Sequence, residues 1–237
     1  MIHIRIKGEK DMEENEVKQE NIVNTEELKN ETVDTVKQVK ETMKNVNVKD
    51  EAKATKGFVL EMVKNPIDKI KEIANDTTNK YFKTAIVLVI IWAIIQLIGE
   101  ISFDYFSWSR LGKIILNYVK VIIAPAFVVT IMSLVIFIMN KKSKKSLITV
   151  LTTVTTTKLP IIVANVVSLL TLISSNAYVI TKRVSSLCSI ISTVLLYFGI
   201  RELYNEEDEK ETLKNFVIIE AIYFVMSLVI SFLGISI

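Results

Sequence analysis

The chain has 237 residues, 50% of them hydrophobic and 23% charged, with a formal net charge of +3. So small and mixed a charge makes no case for nucleic acid as a partner. A single cysteine, Cys188, and a single histidine, His3, exclude an intrachain disulfide and a multi-cysteine metal site.

Residues 1–56 are rich in Glu, Lys, Asn, Val and Thr and carry no aromatic residue. Such a segment buries too little apolar area to offset its ordering entropy, so it reads as a charged, disordered or transiently helical cytoplasmic arm. Its opening, Met1-Ile-His-Ile-Arg-Ile-Lys, lacks the sustained apolar stretch of a signal peptide, so the first hydrophobic segment is expected to direct insertion. Two starts fit. Met1 is one; Met12 is the other, because Gly8-Glu9 upstream of it is encoded by a purine-rich sequence of the ribosome-binding kind in a bacterial source. Within the arm, Val33, Val36, Val39, Met43 and Val46 recur at helical spacing. They make either a short coiled-coil seam for a protein partner or a solvated nascent helix.

Residues 57–83 read as an amphipathic juxtamembrane helix. Phe58, Met62, Val63, Ile67, Ile70 and Ile73 share one face, opposed by Lys64, Lys69 and Lys71. Asn65-Pro66-Ile67-Asp68 has the order of a helix start: an N-cap residue, a proline at the first helical position, and an acid facing the positive end of the dipole. An apolar face flanked by lysines suits an interfacial helix on anionic lipid, with Lys64, Lys69 and Lys71 as lipid-surface candidates. The alternative is the same face packed on the rest of the protein.

From Thr84 onward, apolar runs of bilayer length alternate with short charged punctuation, which places 84–237 in a domain of about five transmembrane helices. Inside lipid each backbone amide needs a partner within its own segment, so these runs are helices and the fold class is all-α. The spans fall at about 84–103, 122–139, 159–175, 184–200 and 215–236. Phe103, Tyr105, Phe106 and Trp108 end the first in an aromatic belt. Lys113, Asn117 and Lys120 put the lead-in to the second span in the interface, with a bend expected at Pro125. Residues 146–157 place Leu147, Val150, Leu151 and Val154 on one face and Thr149, Thr152, Thr153 and Thr156 on another. They form either a second interfacial helix or the start of a long third helix kinked at Pro160.

Five spans put the termini on opposite sides. Lysines and arginines near 69–83, 141–145 and 201–214 outnumber those near 110–120 and 182–183. The positive-inside rule then gives a cytoplasmic N-terminus and an external C-terminus in the plasma membrane.

No HExxH, phosphate-binding glycine loop or Ser-His-Asp set occurs, and every aspartate lies outside the spans, so neither an enzyme nor a cofactor is expected. Two charges stand at span edges: Lys158, two residues before Pro160, and Glu220. A charge at a helix centre costs about 2.5–3.5 kcal/mol and less near the ends. The two either pair with each other, or Lys158 snorkels to headgroups while Glu220 faces interfacial water. Small and polar residues mark packing faces: Ala164, Asn165, Ser168 and Thr171 in the third span, and Ser185, Cys188, Ser189, Ser192 and Thr193 in the fourth. The functional alternative is a polar path through spans three to five.

A charged cytoplasmic segment, five spans and a C-terminus at the far membrane surface together resemble the Yip1 family. Lys158-Leu159-Pro160 at the head of the third span is similar to bacterial Yip1-like proteins, as is the lead-in from Lys56-Gly57-Phe58 through Asn65-Pro66 to Lys69-Ile70-Lys71-Glu72-Ile73. The resemblance covers about residues 56–237 and implies a multi-pass membrane fold. Eukaryotic members act in vesicle traffic and contact small GTPases; no motif of theirs is matched here, so that role does not carry over. Some bacterial relatives begin with a four-cysteine zinc ribbon, which a chain without cysteine before Cys188 does not possess. The expectation is a non-enzymatic membrane protein whose partners are the bilayer and a protein bound through residues 1–56, with scaffolding or membrane organisation as its role. A transporter or channel subunit is the alternative, and a membrane-anchored regulator of envelope stress a third.

Overall fold

A computed structural model describes residues 29–42, 44, 48–103, 111–139, 145–205 and 208–232. The chain divides into two compact units, Met1–Lys44 and Asn45–Ile237. In the first, residues 29–42 form helix α1. Val33 and Val36, two of the five residues of the proposed seam, stand 45% and 61% exposed on it. Met43 and Val46 lie outside the described residues.

The second unit contains, in order, α2 (Val48–Lys64), α3 (Pro66–Ala74), α4 (Phe82–Phe103), α5 (Leu111–Met139), α6 (Leu147–Thr157), α7 (Leu159–Ser168), α8 (Tyr178–Tyr204) and α9 (Glu209–Phe232). Two short 3-10 turns, Leu169–Leu172 and Ser175–Ala177, join α7 to α8. Four helical segments among the described residues are long and apolar enough to cross a membrane: Phe82–Gly99, Val119–Met139, Leu147–Leu172 and Tyr178–Tyr204. The fifth apolar run, 215–236, lies on α9 and extends past the described residues. This is an integral membrane protein built as an all-α bundle. The aromatic belt at 103–108 is almost wholly outside the described residues, and Pro125 sits inside the continuous α5.

The threonine-rich segment decides the architecture. Within an 18-residue apolar window of the span Leu147–Leu172, 78% of residues are buried, against 44%, 39% and 28% in the corresponding windows of the other three. α6 touches α3, α4, α5 and α8 and is the central post of the bundle. Of the two readings of 146–157, the apolar segment Leu147–Leu172 favours the long third helix, and the threonine face expected outside is enclosed: Thr149, Thr152, Thr153 and Thr156 are buried together with Leu147, Val150 and Val154. The hydroxyls make this cheap. Thr152, Thr153 and Thr155 donate to the carbonyls of Ile148, Thr149 and Leu151 at 2.8, 2.9 and 2.8 Å, and Thr157 donates to Val154 at 2.7 Å. With the hydroxyl folded back on its own helix, a threonine presents a valine-like surface outward. Ser146 opens α6 as an N-cap, its hydroxyl accepting the Thr149 N–H at 3.2 Å.

Close approach completes the core. A Cβ on Gly199 of α8 would meet Thr153 Cγ2 at 3.0 Å, Thr157 Cγ2 at 3.5 Å and Ile70 Cγ2 at 3.6 Å. Glycine thus lets α8, α6 and α3 meet at one level, where Ile70, Val150, Val154, Leu196 and Ile200 are fully enclosed. α8 ends at Asn205, whose backbone is left-handed (φ 48°) and whose N–H reaches the Arg201 and Glu202 carbonyls. Asparagine tolerates that conformation better than most residues.

Candidate functional site

Two groups of polar side chains are placed by this fold, one beside the first span and one inside the bundle. The first is assembled by α2 and α3. The helices break at Asn65, which heads α3 without a side-chain capping bond, and Pro66 takes an opening position of α3. Phe58 and Met62 of α2 and Ile70 and Ile73 of α3 then face the protein. The amphipathic face expected on lipid is thus packed on the bundle, while Val63 and Ile67, assigned to that face, remain outside at 72% and 37% exposure.

Lys69 turns inward with its helix. It was expected with Lys64 and Lys71 on the lipid side; those two are exposed, whereas Lys69 is buried. Its Nζ lies 2.6 Å from Glu61 Oε2 and donates to Glu72 Oε2 and to the Tyr81 hydroxyl at 2.9 Å each. The Tyr81 and Phe58 rings stand 4.5 and 5.8 Å from the same ammonium, and the Tyr81 hydroxyl donates to Glu72 Oε1. Lys80 adds a second cation, donating to the Tyr81 oxygen at 3.0 Å and lying 3.6 Å from Glu72. Lys69 goes inward for a plain reason: on α3 it adjoins Ile70 and Ile73, so burying those isoleucines carries the lysine in, and three oxygens replace its water.

The electrostatics follow from this geometry. Burial alone disfavours the Lys69 charge, but the bonds to Glu61, Tyr81 and Glu72 outweigh it and raise its pKa above the ordinary lysine value. Glu72 is held below the usual carboxylate range, first by the Tyr81 hydrogen bond and then by Lys69. At Asp76 burial opposes the charge, and bonds from Thr78, Lys80 and Tyr81 overcome it, so its pKa is also lowered. A cleft of 620 Å³ opens beside the cluster, lined in part by Glu51, Gly57, Phe58, Lys83 and Thr84. It holds ionic and aromatic groups but no nucleophile paired with a base. Among the described residues no group of three His, Cys, Asp or Glu side chains is placed to hold a metal ion.

The second group surrounds Lys158. This residue joins α6 to α7: its N–H donates to the Thr155 carbonyl and its carbonyl accepts from Ile162, both at 3.1 Å. Pro160 sits in the opening turn of α7. Lys158 therefore lies near the middle of the Leu147–Leu172 span rather than ahead of it. It is 4% exposed, which overturns the snorkelling alternative. Its ammonium stands over the Tyr223 ring, 4.9 Å from the centroid. Glu220 is one turn earlier on α9 and half-buried. Among the described residues Lys158 makes no ion pair with it within 4 Å, and the ring contact is to Tyr223 instead.

The packing residues divide. Ala164, Cys188 and Ser192 are buried, and the Ser192 hydroxyl donates to the Thr157 carbonyl at 2.8 Å, tying α8 to α6. Asn165 and Ser168 are half-buried and bonded within α7, Ser168 donating to the Asn165 carbonyl at 2.7 Å. Ser185 and Ser189 are exposed, not packed as expected. The inner face of α8 instead runs through Cys188, Ser192, Leu195, Leu196 and Gly199. Sequence reasoning missed Tyr81, Gly199 and Tyr223. A lone glycine inside an apolar run was the available signal for Gly199, and Tyr223 at i+3 from Glu220 for the ring over Lys158.

Compared with known proteins, no curated protein and no solved structure matches the chain. A family model described as the Yip1 domain matches residues 60–235.

Proposed function

The chain belongs to the Yip1 family, the match running from the end of α2 to residue 235, and from that premise we propose that it is a non-enzymatic membrane organiser. Residues 1–56 are the cytoplasmic arm that takes a protein partner, 57–83 the juxtamembrane segment, and 84–237 the anchor. The observation that carries this reading is how the buried polar groups are spent. The α6 hydroxyls bond to their own helix, Ser192 to a neighbouring carbonyl, and Lys69 to three oxygens of its own unit. Groups engaged in this way rigidify a bundle and leave little free for turning over a substrate. In the membrane the proposed orientation is N-terminus inside and C-terminus outside.

The test compares the full chain with a variant lacking residues 1–44, the first compact unit, which leaves α2 whole, by cross-linking in native membranes. Specific partners that disappear with the arm support the proposal. An unchanged cross-link pattern counts against it.

One observation favours a second reading, a transporter or channel subunit: Lys158 is buried near mid-span beneath Tyr223, with Glu220 a turn away. Charges at that depth are costly and accompany ion or solute paths. Flux in proteoliposomes that is lost in Asn165→Leu or Glu220→Gln would favour it.

A further inference from the structure

Two apolar side chains of α2 point away from the bundle: Leu60 is 52% exposed and Val63 72% exposed. They do not stand alone. At 3.6 residues per turn, Lys53, Lys56, Leu60, Val63 and Lys64 fall within about 100° of arc. All five are exposed. The acids of α2 lie outside that arc, and Glu51 and Glu61 line the cleft on another side of the helix. Past the break at Asn65, Ile67 on α3 is also exposed, at 37%. The outer face of α2 is thus an apolar strip with lysines before and after it and no carboxylate within it.

Its position narrows the occupant. α2 packs along α4, and the cleft on its inner side is lined by Lys83 and Thr84, at the entry to the first span. From there outward Ile90, Ile94 and Ile98 of the same span are exposed at 41%, 50% and 44%, the lipid-facing side of the bundle. An exposed strip of this composition beside the mouth of a transmembrane helix has the two properties that hold a helix at a bilayer surface. Apolar side chains enter the boundary between headgroups and acyl chains, and lysines on long stems reach phosphates. The absence of acids in the arc selects for negative lipid.

We infer that the outer face of α2 docks on anionic phospholipid headgroups, with Leu60, Val63 and Ile67 inserted and Lys53, Lys56 and Lys64 on the phosphates. This deepens the membrane-organising reading by giving the juxtamembrane segment a lipid class and a contact face. That face lies outside the one carrying Phe58, Met62 and Lys69.

The experiment uses the full chain with Cys188→Ser, spin-labelled at Val63→Cys or, as a control on the cleft side, at Ala54→Cys. The protein is placed in nanodiscs of phosphatidylcholine with or without phosphatidylglycerol. Collision with oxygen, which enters lipid, is compared with collision with a water-soluble nickel chelate. The expected result is a lipid-side label at position 63 in the anionic discs and a water-side label at position 54. Each of Lys53→Gln, Lys56→Gln and Lys64→Gln should lower the docked-to-undocked ratio roughly fivefold. Equal access of the nickel chelate to both positions in anionic discs overturns the inference. So does docking that is the same in zwitterionic discs and unaffected by the triple Lys→Gln variant, because anionic lipid is then not what is recognised. No protein partner is present in the discs, so failure here leaves the arm-dependent cross-link as an independent result, and the reverse also holds.

Discussion

At the scale of single residues, the chemistry turns on which charges are enclosed. Lys69 is enclosed with partners that are themselves half in water: Glu61 is 64% and Glu72 48% exposed by side chain. That exposure discounts the ion pairs, so Lys69→Met is expected to cost about 1–2 kcal/mol, well short of a fully buried pair. Thermal unfolding in detergent would check it. The same cluster sets a pH dependence. Glu72 has a lowered pKa in the folded protein. Its contribution is fully present above the ordinary glutamate pKa and is lost as pH falls through the depressed value. Lys69 has a raised pKa, so its contribution is present below the ordinary lysine pKa and lost only as pH rises through the higher folded value. Unfolding temperatures followed into acid should fall for the parent chain, and Glu72→Gln should flatten that fall.

Gly199 gives a second residue-scale prediction. A methyl at this position meets Thr153 Cγ2 at 3.0 Å, so Gly199→Ala should destabilise by about 1–3 kcal/mol. Thr153→Ser removes that γ-methyl and should restore part of the loss when the two are combined. A double-mutant cycle with no coupling would place the contact elsewhere.

At the scale of elements, α6 is the helix whose environment the alternation of threonine and aliphatic residues leaves open. Because Thr152 bonds only to its own helix, to the Ile148 carbonyl at 2.8 Å, Thr152→Val should change stability by less than about 1 kcal/mol. Thr152→Lys should abolish folded protein in the membrane fraction, whereas a helix lying in the interface would accept the lysine readily. Expression and detergent monodispersity of the two variants separate these outcomes. α9 is joined to the joint between α6 and α7 by the Tyr223 ring over Lys158. Tyr223→Phe keeps the ring face and should retain stability, while Tyr223→Leu should lose roughly 0.5–2 kcal/mol.

At the scale of the whole molecule, the proposed orientation is testable by labelling from either side of the membrane in a Cys188→Ser background. Single cysteines at Lys145 and Asp208 should react from the cytoplasmic side, and one at Asn176, between α7 and α8, from the outside. A reversed pattern would invert the assignment of the arm to the cytoplasm.

The membrane class and the all-α fold were legible in the sequence. They follow from one local quantity, the length of an apolar run compared with a bilayer, and from the requirement that backbone amides be satisfied within the segment. Pro66 and Pro160 likewise announced helix openings, since a proline's missing N–H costs nothing there. What residues far apart in the chain do to one another was not legible. Hydropathy records that Thr152 or Lys69 is polar, but not that a hydroxyl will close on its own carbonyl or that three oxygens will surround an ammonium. It could not choose between the two faces of α2, because each carries apolar side chains. Only the packing of α3 against α6 and α8, admitted by the missing side chain at Gly199, decided which isoleucines were enclosed, which lysine went in with them, and which leucine and valine were left outside. Burial is set by the neighbours a side chain meets across the bundle, and no local window of sequence contains them.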